Sequence, residues 1–373
     1  GTMKKLLSVK SPWDIKPDTL IFSDLHLHER KEFGRVDPIT GLNTRLQEGL
    51  NILDQLITLI QGHPEITRVL NLGDTFELKD RVPDHILLTY LERIIKLRSL
   101  PIQYINLMGN HDFNLLEYPT LKLFPDLFIT KTVMIPDYAG ESFFIPFQRN
   151  IEDFYRELIQ VNKKIPKKVF FHQELPGFLY ESGKEIPGVF PQELFLPNVL
   201  YVSGHLHNFQ RKNNEQRTIV VAFVGSPYQI KFSKEGHRKF IWLLNSETLT
   251  MSPVELSYPK FITLDYNNTP LGGETVKQVK NNYVRIIGEV DPDPYLNERK
   301  KEIRKSLEKV YEAKAVIFQQ QTKRTHQTKI PEGTIDDDDS IIRLYTEQNY
   351  EFLGLNKENM SNIGLNIFRE ITQ

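Results

Sequence analysis

The chain has 373 residues, a length that predicts about two domains. Its 47 lysines and arginines nearly balance its 48 aspartates and glutamates, and the formal charge of −1 excludes a general electrostatic attraction to nucleic acid, so any polyanion site must be a local patch. Cysteine is absent, which excludes disulfides and thiolate-bound zinc or iron–sulfur clusters and leaves only nitrogen and oxygen atoms as metal ligands.

Five apolar runs along the chain predict buried strands, and residue types that bind divalent cations follow each of them. The runs cover residues 20–23, 68–72, 102–107, 169–171 and 199–203. The residues that follow them, in the same order, are Asp24 with His26, Asp74, Asn110 with His111 and Asp112, His172, and His205 with His207. Ligands collect at the carboxyl ends of strands in open α/β sheets, so we expect these side chains to share one site.

Two of these strand ends carry a pair of candidate ligands separated by one residue, Asp24 with His26 and His205 with His207. Residues i and i+2 of an extended segment point to the same side of the strand. Alternation therefore predicts that the two members of each pair converge on one cation.

Without His111 and Asp112, seven candidate ligands remain: Asp24, His26, Asp74, Asn110, His172, His205 and His207. They are too many for one small cation that also binds water, and they suit two cations that share a carboxylate. Asp74 is the expected bridge, because a carboxylate offers two oxygens whereas the amide of Asn110 offers one acceptor. Two metals about 3.5–4 Å apart lower the pKa of a bridging water and hold a phosphoryl group for in-line attack. His111 is then left for acid–base chemistry, and Asp112 is predicted to hold its ring tautomer.

Four other residues are interpreted as non-ligands from their placement. His28, His85 and His237 do not directly follow an apolar run. Glu77 lies close after Asp74, and we favour a solvated position or a supporting role behind the ligands over metal binding.

Strand-like and helix-like segments alternate from residue 20, which is typical of an α/β fold. A helix predicted over residues 43–61 carries two apolar stripes, Leu46, Leu50, Leu53, Ile57 and Ile60 on one and Ile52, Leu56 and Leu59 on the other. The first can cover a sheet, and the second is covered either by a neighbouring helix, such as the one predicted over residues 84–98, or by a second copy of the chain. A further helix is predicted over residues 151–162, and the basic cluster at 163–168 is interpreted as a solvated loop in preference to a phosphate contact.

The pattern of strand-like and helix-like segments changes near residue 258, and we predict that the chain divides into four segments. Residues 1–258 are expected to form the catalytic domain and residues 259–325 a small α+β domain. Residues 326–340 end in an acidic run and are expected to be a linker, while residues 341–373 carry amphipathic segments that fit a partner contact. No apolar run approaches the roughly 20 residues of a membrane span, so we expect no membrane contact and a cytoplasmic location.

The motif set resembles that of the calcineurin-like metallophosphoesterases over residues 20–208, through Asp24-x-His26, Gly73-Asp74, Gly109-Asn110-His111-Asp112, His172 and Gly204-His205-x-His207. Finer stretches resemble the SbcD-type double-strand-break-repair nucleases, namely residues 73–76 with 81–83, and residues 225–229. Residues 172–178 are most similar to the phage branch of that group, the nuclease subunit of phage recombination complexes.

This resemblance implies a two-sheet sandwich flanked by helices, a DNA-capping domain at residues 259–325, and C-terminal helices that dock on an SMC-like ATPase. It implies one metal held by Asp24, His26, Asp74 and His207 and the other by Asp74, Asn110, His172 and His205. Manganese is the expected metal, with magnesium as the alternative. It further implies a homodimer with duplex exonuclease and single-strand endonuclease activity. Some relatives carry a histidine where Glu77 stands, so the role of that histidine is not assigned to any residue of this chain.

Two other classes of function stay open. A phosphoesterase for small molecules or phosphoproteins would use the same chemistry, since a fold does not determine its substrate. A non-catalytic docking scaffold would keep only the fold. The intact ligand set argues against the scaffold, and the additional domain, the acidic linker and the amphipathic tail argue against a small-molecule enzyme.

Overall fold

The computed structural model describes residues 11–79, 81–112, 127–213, 219–265, 274–288 and 296–320, which all belong to one compact unit. The strands in these residues are β1 Thr19–Phe22, β2 Arg68–Asn71, β3 Gln103–Asn106, β4 Val133–Asp137, β5 Gly140–Ile145, β6 Lys168–His172, β7 Leu200–Gly204, β8 Gln210–Asn213, β9 Ile219–Phe223, β10 Ile241–Asn245, β11 Thr250–Val254, β12 Phe261–Asp265, β13 Tyr283–Gly288 and β14 Ala315–Gln320. The α-helices are α1 Thr44–Gly62, α2 Asp84–Arg98, α3 Ile151–Asn162, α4 Glu274–Val279 and α5 Leu296–Lys309. None of these helices has the combined length and apolarity that crossing a bilayer requires. The predicted linker at 326–340 and the predicted docking helices at 341–373 lie outside the described residues.

Two sheets pack face to face in the body of the molecule. The first has the strand order β11-β10-β1-β2-β3 and the second the order β4-β5-β6-β7-β9-β8. Ile21 and Leu70 of the first sheet share an apolar cluster with Phe170 and Val202 of the second. Strands β1, β2 and β3 are parallel to one another, as are β6 and β7, so their carboxyl ends are brought together. The predicted two-sheet α/β sandwich is confirmed.

Helices cover the outer faces of both sheets, α1 and α2 on the first and α3 on the second. The side chain of Asn43 caps α1 by accepting the backbone N–H groups of Arg45 and Leu46 at 2.9 and 3.2 Å. In the second apolar stripe of α1, Ile52 and Leu56 are fully buried within the single chain, in the cluster that includes α2. The neighbouring helix therefore covers this stripe. The homodimer stays a prediction, but the second apolar stripe no longer supports it.

The basic stretch at residues 163–168 differs from expectation at its last position. Lys168 begins β6 and is fully buried, with its Nζ 2.8 Å from Asp137 Oδ2. The interpretation as a solvated loop is therefore wrong for Lys168, because a buried carboxylate replaces the water that an ammonium group needs.

A third, smaller sheet follows β11 along the chain. It consists of the parallel strands β12, β13 and β14, and Leu307 of α5 packs on it beside Leu264 and Val284. The first residues of β12 and β13, Phe261 and Tyr283, belong to a separate cluster that also contacts phenylalanines of the main body. The amino ends of the third sheet are thereby packed against the sandwich.

Candidate metal centre

The predicted ligands meet where strands of both sheets end. Three overlapping groups of side chains have one ligand atom per residue within 4.8 Å of one another in the described part of the chain, namely Asp24, His26 and His207; His26, Asp74 and His111; and Asp74, His172 and His205. Asn110 joins the third group, since its Oδ1 lies 3.0 Å from both His172 Nε2 and His205 Nδ1. All seven predicted ligands are thus brought together.

The backbone at these ligands is not extended, which corrects the argument from strand alternation. Asp24, His26, Asp74 and His205 have φ angles of 57°, 45°, 54° and 85°, in the left-handed region that non-glycine residues rarely adopt. The first two ligands lie beyond the end of β1 in a loop whose N–H groups bond to the loop after β2. Each pair therefore converges through turns, and such local strain is typical of functional sites.

Glycines allow the loops to approach one another closely. A Cβ atom on Gly109 would lie 2.2 Å from Asp74 Oδ1, and one on Gly204 would lie 2.8 Å from His172 Nδ1. Contacts this short do not occur at real side chains, so both positions require glycine. The glycines of the Gly109-Asn110 and Gly204-His205 motifs therefore serve to pack the ligands.

Asp24, His26 and His207, here called the first metal group, direct three potential metal-binding atoms at one another. The Nε2 atoms of His26 and His207 are 2.9 Å apart, and Asp24 Oδ1 lies 3.6 and 3.7 Å from them. Asp24 Oδ1 is buried and has no hydrogen-bond partner. A buried carboxylate oxygen without a partner is costly. A divalent cation among these three atoms would satisfy it, so this donor set fits a metal.

Asp74 occupies the position of a bridge between the first metal group and a second one, here defined as Asn110, His172 and His205. Its Oδ2 lies 3.7 Å from His26 Nε2 and 3.4 Å from His172 Nε2. Its other oxygen, Oδ1, accepts the backbone N–H of His111 at 2.9 Å. One carboxylate oxygen therefore faces ligands of both groups, which places Asp74 to be shared between two cations.

The second group fits a cation as well. His172 Nδ1 lies 2.6 Å from the carbonyl oxygen of Leu72, which can only accept, so this nitrogen carries a proton and Nε2 is the nitrogen left to bind a metal. Asn110 faces this Nε2, His205 and Asp74, and its amide group can turn either its NH₂ or its oxygen toward them. With the amide oxygen turned inward, the group has the ligands that a second divalent cation needs.

Protonation of the imidazoles balances the buried carboxylates in the metal-free chain. Burial lowers the pKa of His26, but the adjoining carboxylates of Asp24 and Glu77 and the charge of Asp74 raise it to about 10. Burial likewise opposes ionisation of His172, and the Asp74 carboxylate raises its pKa to about 9. The pKa of Asp74 lies well below its usual value despite burial, because these imidazoles surround it. Metal binding must therefore displace protons.

The predicted pairing of His111 with Asp112 is not present. His111 Nδ1 lies 2.6 Å from the carbonyl oxygen of Glu77, which holds the ring tautomer instead. The buried Asp112 carboxylate accepts the backbone N–H groups of Asp74 and Gly109, both at 2.8 Å. Asp112 thus holds the ligand loops together and does not contact the ring, because backbone donors occupy its oxygens. The His111 ring remains beside the ligands, with its centroid 4.9 Å from that of His26.

Three carboxylates support the ligand histidines from outside. Glu77 contacts His26 Nδ1 at 3.0 Å, which agrees with the supporting role favoured for it. Glu174 lies 3.5 Å from His205 Nε2, and Glu181 contacts His207 Nδ1. Sequence analysis missed these last two. Glu174 closely follows His172 and could have been found by that proximity, whereas no local pattern marks Glu181.

The histidines interpreted as non-ligands lie outside the three groups described above. His85 Nε2 is 2.7 Å from Glu29 Oε1, and His237 Nδ1 is 2.9 Å from Asn208 Oδ1. These partners are surface side chains, so neither ring faces the buried acceptors of the centre.

Comparisons with known proteins identify the family. The family model described as calcineurin-like phosphoesterase matches residues 18–209, more than half of the chain. A search of curated protein sequences gave no significant match. Among solved structures, a dimetal phosphatase from Danio rerio is similar with a TM-score of 0.39 and 11% identity, over 61% of this chain and 93% of that one. A protein of unknown function from Aquifex aeolicus is similar with a TM-score of 0.27 and 16% identity, over 42% of this chain and 77% of that one. The chain belongs to the calcineurin-like phosphoesterase family of metal-dependent hydrolases.

Proposed function

We propose that the chain is a two-metal DNA nuclease, the nuclease subunit of an SbcCD-like repair or recombination complex. It would hydrolyse phosphodiester bonds as a duplex exonuclease and a single-strand endonuclease. Mn²⁺ is the proposed metal, with Mg²⁺ as the alternative, since both accept oxygen and imidazole ligands. The observation that carries the proposal is the link that residues 225–229, a stretch resembling SbcD-type nucleases, form between the metal centre and the third sheet.

Residues 225–229 contact the ligand loops and the third sheet at once. Ser226 donates its backbone N–H to the carbonyl oxygen of His207 at 3.0 Å, and Tyr228 donates its hydroxyl to the carbonyl oxygen of Leu25 at 2.8 Å. Gln229 accepts the backbone N–H of Phe261, the first residue of β12, at 2.9 Å. An additional sheet attached directly to the catalytic loops suits an enzyme that must hold a large substrate.

Open space beside the centre also suits a polymeric substrate. One cleft of about 560 Å³ is lined by residues that include Phe147 and His205. A second cleft of about 620 Å³ is lined by residues that include Glu181, Asn208 and Phe240. Aromatic side chains in such clefts can stack on bases of single-stranded nucleic acid. The first cleft reaches the ligand His205, and the second reaches Glu181, which contacts His207. Clefts in these positions suit a chain that extends past the reacting phosphate.

The chemistry at this centre divides between metals and protein. When bound, a pair of divalent cations supplies an activated water and neutralises charge on the phosphoryl oxygens. Asp74 and Asn110 are placed to hold such cations, as described above. The His111 ring, oriented by the carbonyl oxygen of Glu77, is placed to move a proton to or from the reacting phosphodiester.

The proposed partners are DNA, a second copy of the chain and an SMC-like ATPase. Leu88 and Ile95 on the outer side of α2 are 53% and 57% exposed and offer an apolar face for the homodimer. Residues 341–373 are the proposed contact with the ATPase. Truncation after Asp339 should abolish co-purification of the ATPase and spare metal-dependent hydrolysis, and continued co-purification would refute this contact.

The proposed function is tested by substrate choice. Linear duplex DNA, single-stranded circular DNA and a small phosphodiester are each incubated with the full chain, in Mn²⁺ and in chelator. We expect Mn²⁺-dependent cleavage of both DNAs at rates far above that of the small ester. Efficient turnover of the small ester alone would establish the general phosphoesterase alternative. Absence of turnover on every substrate would establish the scaffold.

A further inference from the structure

Each imidazole of the first metal group has a carboxylate behind it. His26 Nδ1 lies 3.0 Å from Glu77 Oε2, and His207 Nδ1 contacts Glu181 Oε1. The opposite nitrogens of the two rings face inward, since their Nε2 atoms are 2.9 Å apart and both lie near Asp24 Oδ1. Glu77 and Glu181 therefore approach the ligands from outside and do not compete for the cation.

Each of these carboxylates is in turn held by a cationic side chain. Arg30 Nη2 lies 3.6 Å from Glu77 Oε2, and Lys234 Nζ contacts Glu181 Oε1. Lys234 is fully buried, so its ammonium group depends on this carboxylate for neutralisation. The same order of imidazole, carboxylate and cation thus occurs twice, built from unrelated parts of the chain.

This order determines which ring nitrogen can bind a metal. An ionised carboxylate favours a proton on the ring nitrogen that faces it. At His26 this preference is electrostatic, since Nδ1 lies 3.0 Å from Glu77 without an aligned hydrogen bond. At His207 the Glu181 carboxylate contacts Nδ1 and outweighs the Lys234 ammonium, whose Nζ lies 3.3 Å from the same nitrogen. A neutral imidazole with its proton on Nδ1 presents its lone pair on Nε2. Outer partners of this kind fix the tautomer and ring orientation of metal-binding histidines and raise their basicity.

We propose that Glu77 and Glu181 are positioning residues for the first metal group, each holding one imidazole, His26 or His207, with Nε2 directed at the cation. Neither carboxylate contacts the second group, in which Glu174 lies 3.5 Å from His205 Nε2. His172 is held by the carbonyl oxygen of Leu72 at 2.6 Å, and a Gln substitution cannot remove a backbone carbonyl. The two carboxylates therefore act on one metal of the pair. This assignment depends on metal binding alone and not on the substrate.

A merely structural role for these carboxylates predicts a different result. The side chains of Glu77 and Glu181 are 34% and 28% exposed, and ion pairs at such exposure contribute little to stability. Replacement by glutamine keeps their size and removes their charge. The metal-free chain should therefore unfold at an almost unchanged temperature in Glu77→Gln, while metal affinity falls. Glu181→Gln also leaves the buried Lys234 without its carboxylate and should unfold at a lower temperature, so its metal affinity is measured well below that temperature.

The test measures Mn²⁺ binding to the full chain by the electron paramagnetic resonance of free Mn²⁺, with no substrate added. Glu77→Gln and Glu181→Gln should each weaken one of two bound equivalents about 10- to 100-fold and leave the other unchanged. The matched control is Glu185→Gln, an exposed position in the same segment as Glu181, which should bind both equivalents as the parent does.

A second readout follows the ring tautomer directly. Long-range ¹H–¹⁵N NMR of the metal-free chain should show one histidine losing its Nδ1–H form in Glu181→Gln and not in Glu185→Gln. Unchanged Mn²⁺ affinity in either glutamine variant would overturn the assignment of that carboxylate. For Glu77→Gln, an affinity loss matched by a lower unfolding temperature of the metal-free chain would overturn the assignment in favour of a structural role. For Glu181→Gln, an affinity loss without any change in the tautomer of a histidine would do so. Failure of DNA cleavage would refute the proposed nuclease and leave this assignment intact.

Discussion

The two ends of the sandwich hold buried polar clusters of opposite character. At the amino ends of β2 and β6, Arg68 and Lys168 lie 3.0 and 2.8 Å from the same oxygen, Asp137 Oδ2, and Lys168 also donates to the carbonyl oxygen of Ser246 at 3.3 Å. Near the carboxyl ends of the same strands lies the metal centre. There Asp24 Oδ1 has no hydrogen-bond partner, and protons on the surrounding imidazoles balance the carboxylates when no metal is bound.

The difference shows what separates a structural cluster from a site that binds a ligand. At the amino ends every charge has a partner of opposite sign, so the polypeptide alone completes the cluster. At the carboxyl ends the donor set is complete only when cations are added. Burial of charge is therefore not itself a sign of function, since both clusters are buried. The sign is an acceptor that the protein leaves unmatched.

Asp74→Ala should produce the largest effect, because it removes the oxygen shared by both metal groups. We expect the loss of at least one bound Mn²⁺ and a fall in turnover of about 10³-fold or more, as metal activation of water is lost. The measurement pairs Mn²⁺ stoichiometry with hydrolysis rates. Two tightly bound equivalents in this variant would show that Asp74 is not the bridge.

His111→Ala separates chemistry from metal binding at the same centre. The ring adjoins the ligands without being needed as one, so both Mn²⁺ equivalents should remain. Turnover should fall by about 10²–10⁴-fold, the range for a lost acid–base group. Single-turnover kinetics at saturating Mn²⁺ provide the measurement. Unchanged turnover would remove His111 from the reaction.

The residues of the centre could be predicted because their signal is local. Asp74 directly follows the buried run at 68–72, and the other ligands follow equivalent runs. The conformation that unites them could not be predicted in the same way. Asp24 and His26 donate their backbone N–H groups to the carbonyl oxygens of Gly73 and Asp74 at 2.9 and 3.0 Å. Those partners lie in another loop. The two side chains therefore do converge as predicted, but through contacts between loops and not through alternation within one strand.

Supporting residues escaped prediction for a related reason. Glu181 stands in no pattern relative to His207, and Lys168 belongs to a basic run that usually marks solvent exposure. Their roles depend on partners that are distant in sequence, such as Lys234 and Asp137. The role of the Asp112 carboxylate likewise depends on a distant partner, since it accepts backbone N–H groups from two loops. Local sequence shows which groups can bind a metal, and only the folded chain shows what holds them.

Lys168→Met tests the opposite end of the sandwich. Removing the ammonium group leaves the buried Asp137 with Arg68 as its remaining charged partner. Loss of one member of a buried pair costs about 3–5 kcal/mol, and we expect the lower end of that range because Arg68 stays. Urea unfolding of the metal-free chain measures the effect. Mn²⁺ affinity should be unchanged, and a large loss of affinity would contradict the separation of the two clusters.

The smallest expected effect is a pH dependence that only the metal centre should show. Folding raises the pKa of His26 to about 10 and that of His172 to about 9. The resulting stability is complete below the unfolded histidine value of about 6.5 and is lost as the pH rises through the folded values.

The unfolding temperature of the metal-free chain should therefore decline measurably between about pH 6.5 and 9. Saturating Mn²⁺ displaces these protons, so the decline should disappear in its presence, with oxygen excluded. Lys168→Met should show the same decline as the parent, since its cluster does not contain these histidines. Equal pH profiles with and without Mn²⁺ would mean that the imidazoles keep their protons. The acceptors would then be matched by the protein alone, and the two ends of the sandwich would no longer differ.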